Sequence, residues 1–240
     1  MSTKLQVIIL SALLFLLAAS AHAGFYGESI SLADLTGSRT FSSSNCSSPS
    51  GELGGCWPYS FTIQWNISQD LSTSSWAYSY SLSTSKKSIS HFILETSSSS
   101  DIMSSIFDIM INGKSAKIEG PDIWGSHQGN SNPGLTTDFY GIKFDSGGLN
   151  TTYSFTSTKD PVWGNFYAKS GKDKDNGWIY TYNNALGTSG FDSSNPIDFI
   201  PRPNGGSNPP VVPEPVSSVL FIAGGIIFLA KRFVLKKKQR

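Results

Sequence analysis

From Phe61 onward the apolar residues recur at every second position. This constrains the chain more than any other feature, because a period of two is the side-chain spacing on one face of a β-strand. Phe61, Ile63, Trp65 and Ile67 alternate with Thr62, Gln64 and Asn66; Trp76, Tyr78, Tyr80 and Leu82 alternate with Ala77, Ser79 and Ser81. Phe107, Ile109 and Ile111 run into Asn112-Gly113, a pair suited to a two-residue hairpin turn, with Ser115 to Ile118 expected to return. Tyr140, Ile142 and Phe144 predict another strand, and Tyr153 with Phe155 a further one. Val162 to Lys169 and the Trp178, Tyr180, Tyr182 run flank a polar loop ending in Asn176-Gly177. The segment Ile89 to Leu94 is apolar on both parities, the pattern of a central strand covered on both sides.

Between Gly24 and Ile200 no segment shows the 3.6-residue period of an amphipathic helix. Eight or more short strands, with turn signals every ~8–12 residues, predict an all-β domain, a jelly-roll-like β-sandwich. Cys46 and Cys56 are the only cysteines. Their spacing is not CxxC, and in an oxidising compartment they are expected to form a disulfide closing a Ser/Pro/Gly-rich loop, at ~2–3 kcal/mol.

The two ends have a different character. Lys4, the apolar run Val7 to Ala19 and Ala21-His22-Ala23 follow the order of a secretory signal peptide over residues 1–23, cut between Ala23 and Gly24. The domain would span 24–200. Six of the 12 prolines then fall between Pro201 and Pro215, and residues 201–211 read as an extended Pro/Gly linker. Val216 to Ala230 carry no charge, and a span reaching from 216 to 235 forms if Lys231 and Arg232 snorkel and Phe233 to Leu235 lie in the interface. Lys231, Arg232, Lys236, Lys237, Lys238 and Arg240 form a basic cluster that places the C-terminus, residues 236–240, in the cytoplasm and the domain outside.

Val212-Pro213-Glu214-Pro215, followed by a short apolar helix and a basic terminus, resembles the PEP-CTERM sorting signal over residues 212–240. The resemblance implies recognition of Val212, Pro213, Glu214 and Pro215 by an exosortase, in Gram-negative bacteria that make extracellular polysaccharide. The partners it implies are the Sec translocon, signal peptidase, the exosortase and the membrane, with extracellular polysaccharide as a candidate contact. The implied location is the inner membrane with the domain in the periplasm, then the cell surface or matrix. A plain single-pass anchor would carry the same tail, and also leaves the domain outside the cytoplasm. The segments at Ile89–Leu94 and Gly141-Ile142-Lys143-Phe144-Asp145 are similar to those of other PEP-CTERM ectodomains, which implies an all-β fold and names no activity.

Charge argues against nucleic acid as a partner. Residues 24–212 hold 11 Lys/Arg against 16 Asp/Glu, with no clustered basic face to meet phosphate. Catalytic signals are sparse. His91 falls in a strand and reads as structural. His127 follows Ser126 on a loop, but no G-x-S-x-G elbow accompanies them. Two histidines beyond the signal peptide and two bridged cysteines leave little for a metal, and no cofactor is expected. Asp173-Lys174-Asp175-Asn176-Gly177 departs from the calcium-loop spacing and reads as a hairpin turn. The sequons at Asn45, Asn66 and Asn150 are chance matches in a Ser/Thr-rich chain. Glu95, Asp101, Asp108, Glu119 and Asp122 are candidate carboxylates for glycoside hydrolysis, which depends on their separation. Trp57, Trp124 and Trp163 fall off the clearest buried stripes and are candidate carbohydrate contacts. No catalytic residue is assigned. The expectation is a non-enzymatic surface or matrix protein, with a carbohydrate-active domain, binding or hydrolytic, as the alternative.

Overall fold

The computed structural model describes residues 26–42, 50–51, 53–98, 101–125, 127, 131–135, 137–183 and 199–204. The signal segment, its Ala23/Gly24 junction and everything from 205 onward, including the Pro-Glu-Pro motif and the basic cluster, lie outside the described residues. The described chain is antiparallel β with two short 3₁₀ turns. Its strands are β1 (Thr36–Ser42), β2 (Ser50–Gly51), β3 (Leu53–Cys56), β4 (Phe61–Asp70), β5 (Ser75–Thr84), β6 (His91–Glu95), β7 (Ile106–Ile111) and β8 (Lys114–Ser115). They continue as β9 (Glu119–Trp124), β10 (Phe139–Phe144), β11 (Asn150–Ser157), β12 (Pro161–Gly164), β13 (Phe166–Asp173), β14 (Gly177–Asn183) and β15 (Ile200–Pro203).

One sheet has the order β2-β1-β4-β5-β11-β7-β8 and a second the order β3-β14-β13-β6-β10-β9; β12 and β15 pair separately. The alternation in β4 and β5 is realised as read: Phe61, Ile63, Trp65, Ile67, Trp76, Tyr78, Tyr80 and Leu82 are all buried. They share one apolar cluster with Phe92 and Leu94 of β6, Ile142 and Phe144 of β10 and Ile179 of β14, so side chains of both sheets meet in a common core. Near-parallel Tyr78 and Phe155, with ring centroids 5.0 Å apart, fill its centre.

β6 is the doubly covered strand its pattern predicts. It lies between β13 and β10, and all five of its residues are buried. Phe92 and Leu94 face the common core, while Ile93 joins a second cluster with Trp124, Leu135, Phe139 and Tyr167. The segment 131–135 covers that second face: the Pro133 carbonyl accepts from the Tyr167 hydroxyl, and the Ser131 carbonyl from Lys169 Nζ.

Four expectations change. Asp108 takes φ +54, and the register between β7 and β11 shifts beside it, the signature of a bulge. Parity flips there, so Ile106 turns inward and Phe107 is exposed. The hairpin turn at Asn112-Gly113 forms with both φ positive, but its return strand is only Lys114–Ser115. On β14 the strand is real, yet Ile179 faces the common core and Trp178, Tyr180 and Tyr182 are half-buried on the other side. Finally, Val162 to Lys169 is two strands broken at Asn165, and Ile200–Pro203 pairs with the first of them. Pro201 and Pro203 therefore belong to a buried strand rather than the linker. Among the described residues one edge of β15 has no ladder partner, where a proline's missing N–H costs nothing.

Candidate functional site

The N-terminal segment runs along the other side of β12: Gly27 N–H donates to the Trp163 carbonyl at 2.8 Å, and Trp163 N–H to the Glu28 carbonyl at 3.0 Å. This carries Tyr26 to the end of β6, where the chain also passes Asn165 and, in β15, Arg202. With Glu95, Thr96, Asp138 and Phe139 these residues line an open cavity of about 460 Å³, within the ~300–1,000 Å³ range of small-molecule sites.

Glu95 is the hub. Its carboxylate accepts from the Tyr26 hydroxyl, and Oε2 accepts from Asn165 N–H at 2.6 Å. Asn165 returns the contact, its carbonyl accepting from Glu95 N–H at 3.0 Å. Arg202 Nε stands 3.7 Å from Glu95 Oε2, both side chains are buried, and the guanidinium lies over the Tyr26 ring. Burial first, and then the charge and hydrogen bond of Glu95, push the Tyr26 hydroxyl up to about 12. The Tyr26 hydroxyl is therefore a proton donor to Glu95 at neutral pH rather than an anion. Thr96 Oγ1, Asn165 Oδ1 and Arg202 Nε, all buried on this wall, have no hydrogen-bond partner among the described residues. Native folds seldom retain buried polar atoms in that condition.

Of the candidate carboxylates only Glu95 enters this cavity. Asp101 pairs with Lys159, and Glu119 with Lys143. Asp108 is exposed on the β7 bulge, and Asp122 accepts from Ile123 N–H. Asp138, which sequence reading did not single out, lines the cavity with Glu95, and its Oδ2 lies 3.4 Å from Nδ1 of half-exposed His127. Ser126 lies outside the described residues.

The three tryptophans offered as sugar contacts are all buried. Trp57 is fully buried, tilted against Phe61, with Nε1 donating to Thr84 Oγ1 at 3.0 Å. Trp163 packs edge-on against Trp65. Trp124 is 9% exposed, its Nε1 donates to the Gly141 carbonyl, and Lys143 lies over its ring. Each indole N–H is spent inside or each ring is covered, so none presents a stacking face.

His91 is buried, and burial first, then Lys143 and Lys169, lower it to about 4. In the 173–177 turn, Asp173 Oδ1 accepts from Asp175 N–H and Asn176 Nδ2, and Oδ2 from the Tyr59 hydroxyl. These bonds hold the carboxyl well below the usual carboxylate range and use its oxygens to close a hairpin. Among the described residues no group of three or more His, Cys, Asp or Glu could hold a metal, and no helix is long and apolar enough to cross a membrane. Cys56 is buried with Sγ 3.7 Å from the Asn176 carbonyl, while Cys46 lies outside the described residues. No protein-family model, curated protein or solved structure matches the chain.

Proposed function

We propose that this chain is an exported cell-surface or matrix protein: a jelly-roll-like β-sandwich delivered by the signal peptide at 1–23 and sorted by an exosortase through the tail at 212–240. Its ectodomain is structural or binding, not enzymatic. One observation carries the reading. A signal-peptide pattern and a Pro-Glu-Pro, apolar, basic tail bracket a strand-rich segment in the order that export and sorting require.

The outward face of the larger sheet supports the non-enzymatic half. Thr62, Gln64, Asn66 and Ser68 of β4 lie beside Ser79, Ser81 and Ser83 of β5, with Ser38 and Thr40 of β1 and Thr152, Ser154 and Thr156 of β11 completing the field. All are exposed or half-exposed. This field of uncharged hydroxyls and amides stays hydrated and suits contact with another hydrated surface, with one recess of about 290 Å³ lined by Thr36, Gln64, Asn66, Ser79 and Ser81. C-terminal mapping of the protein from fractions of its native host tests the export route. The expected product begins at Gly24, lies outside the cytoplasm, and is either membrane-held or shortened near Pro213–Pro215. Full-length protein in the cytosol with residues 1–23 intact refutes it.

The cavity at Glu95 favours the second reading, a carbohydrate-active ectodomain, and favours binding over hydrolysis. A glycosidase needs one carboxyl to give up a proton and a second to receive charge or attack. Glu95 is already engaged by Tyr26, Asn165 and Arg202, and Asp138 faces His127.

A further inference from the structure

We propose that the cavity between Glu95, Asn165 and Arg202 binds one neutral, hydroxyl-rich residue of a glycan, recognised by Thr96 Oγ1, Asn165 Oδ1 and the Arg202 guanidinium. This deepens the carbohydrate reading and is independent of how the chain is exported. Three residues from separate elements that line the cavity carry buried polar atoms with no hydrogen-bond partner among the described residues. One is an acceptor, one a donor, and the hydroxyl can be either. The proposal requires those side chains to rotate so that the three atoms meet a molecule in the cavity, the Arg202 guanidinium keeping its contact to Glu95. A matching ligand offers donors and acceptors side by side, as adjacent sugar hydroxyls do.

Charge narrows the class. Glu95 offsets Arg202 inside the wall, and Asp138 adds a negative group at the rim. A phosphate or uronate meets no surplus positive charge, and a metal ion or amine meets the buried guanidinium. A neutral ligand meets neither penalty. The rings of Tyr26, Phe139 and Tyr140 supply apolar wall to the C–H faces of a sugar.

The test uses the full chain in a detergent without a sugar headgroup, and saturation-transfer NMR with millimolar glucose, galactose, mannose and N-acetylglucosamine. Glucuronate and N-methylacetamide serve as charged and peptide-like controls. At least one neutral sugar is expected to receive saturation, with neither control doing so. Thr96→Val keeps the side-chain shape and removes a hydroxyl that makes no hydrogen bond among the described residues, so its unfolding midpoint should not fall. Binding should weaken about tenfold, the effect of one lost hydrogen bond. Asn165→Ala, which keeps the main-chain bonds to Glu95, should weaken it similarly. No transfer to any neutral sugar, transfer to either control as strong as to the best sugar, or unchanged affinity in both folded variants overturns the proposal. None of these results bears on the tail, and a failed tail test leaves this one standing.

Discussion

Lowering the pH from 7 to 5 should destabilise the domain through one side chain. His91 is 6% exposed, its Nε2 makes no hydrogen bond among the described residues, and it lies near Lys143 and Lys169. Burial and then those two cations lower it from 6.5 to about 4, against the smaller opposing effects of Asp145 and Asn132. In the window between those values the unfolded chain binds a proton that the folded chain refuses, so stability falls as pH falls. The loss is complete below the folded value, where it is on the order of 3 kcal/mol, and is about 2 kcal/mol at pH 5. A domain with a total of ~5–15 kcal/mol shows that clearly. The carboxylates Asp70, Asp145 and Asp173 are held below their ordinary value of 3.8. Their contribution is present above that value and lost only beneath it, outside the window. Urea unfolding at pH 7 and pH 5, for the native chain and His91→Gln, separates the two: the native free energy drops and that of the variant stays nearly level. Equal drops in both proteins would show that His91 is not the group being titrated.

Gly134 sits at φ +84 where an added Cβ would meet Tyr180 Cε2 at 2.0 Å, so Gly134→Ala should cost about 1–3 kcal/mol and alter the tyrosine signal in near-UV circular dichroism. Glu95→Gln leaves Arg202 buried without its counter-charge and should cost about 3–5 kcal/mol in urea unfolding. Glu119→Gln, which removes one of the two carboxylates paired with Lys143 at the surface, should cost under ~1 kcal/mol. Peptide mapping of the protein from its native host without reductant should recover the Cys46 and Cys56 peptides linked; free thiols at both positions refute the pairing.

The strands that sequence reading located best are those whose burial follows strict alternation. β4, β5 and β11 are neighbours in the larger sheet, with one face on the core and one in water, so each inward position had to be apolar and each outward one could be Ser, Thr, Asn or Gln. β6 was legible for the opposite reason, since a strand packed on both faces loses alternation altogether. The misreadings share one cause: a second buried surface, or a break in register, that period counting does not contain. On β14 the aromatic parity, Trp178, Tyr180 and Tyr182, is not the one on the common core; Ile179, in line with Thr181 and Asn183, faces it, because the segment 131–135 covers the other side. On β7 a single left-handed residue, Asp108, exchanges the two faces.

The cavity was illegible for a related but stronger reason. Tyr26, Glu95, Asn165 and Arg202 stand in four separate regions of the chain, and they meet only because β12 takes the N-terminal segment on one side and β15 on the other. A proline-flanked arginine, Pro201-Arg202-Pro203, carries every sign of a linker when read along the chain. Only the pairing of Val162 with Arg202 turns it into a wall. One local signal was available, a glutamate at the end of a doubly apolar strand, since a carboxylate placed where both faces are buried must find partners of its own. Those partners are the Tyr26 hydroxyl, the Asn165 amide and the Arg202 guanidinium, and they hold the end of β6 open as a polar recess within an otherwise apolar layer.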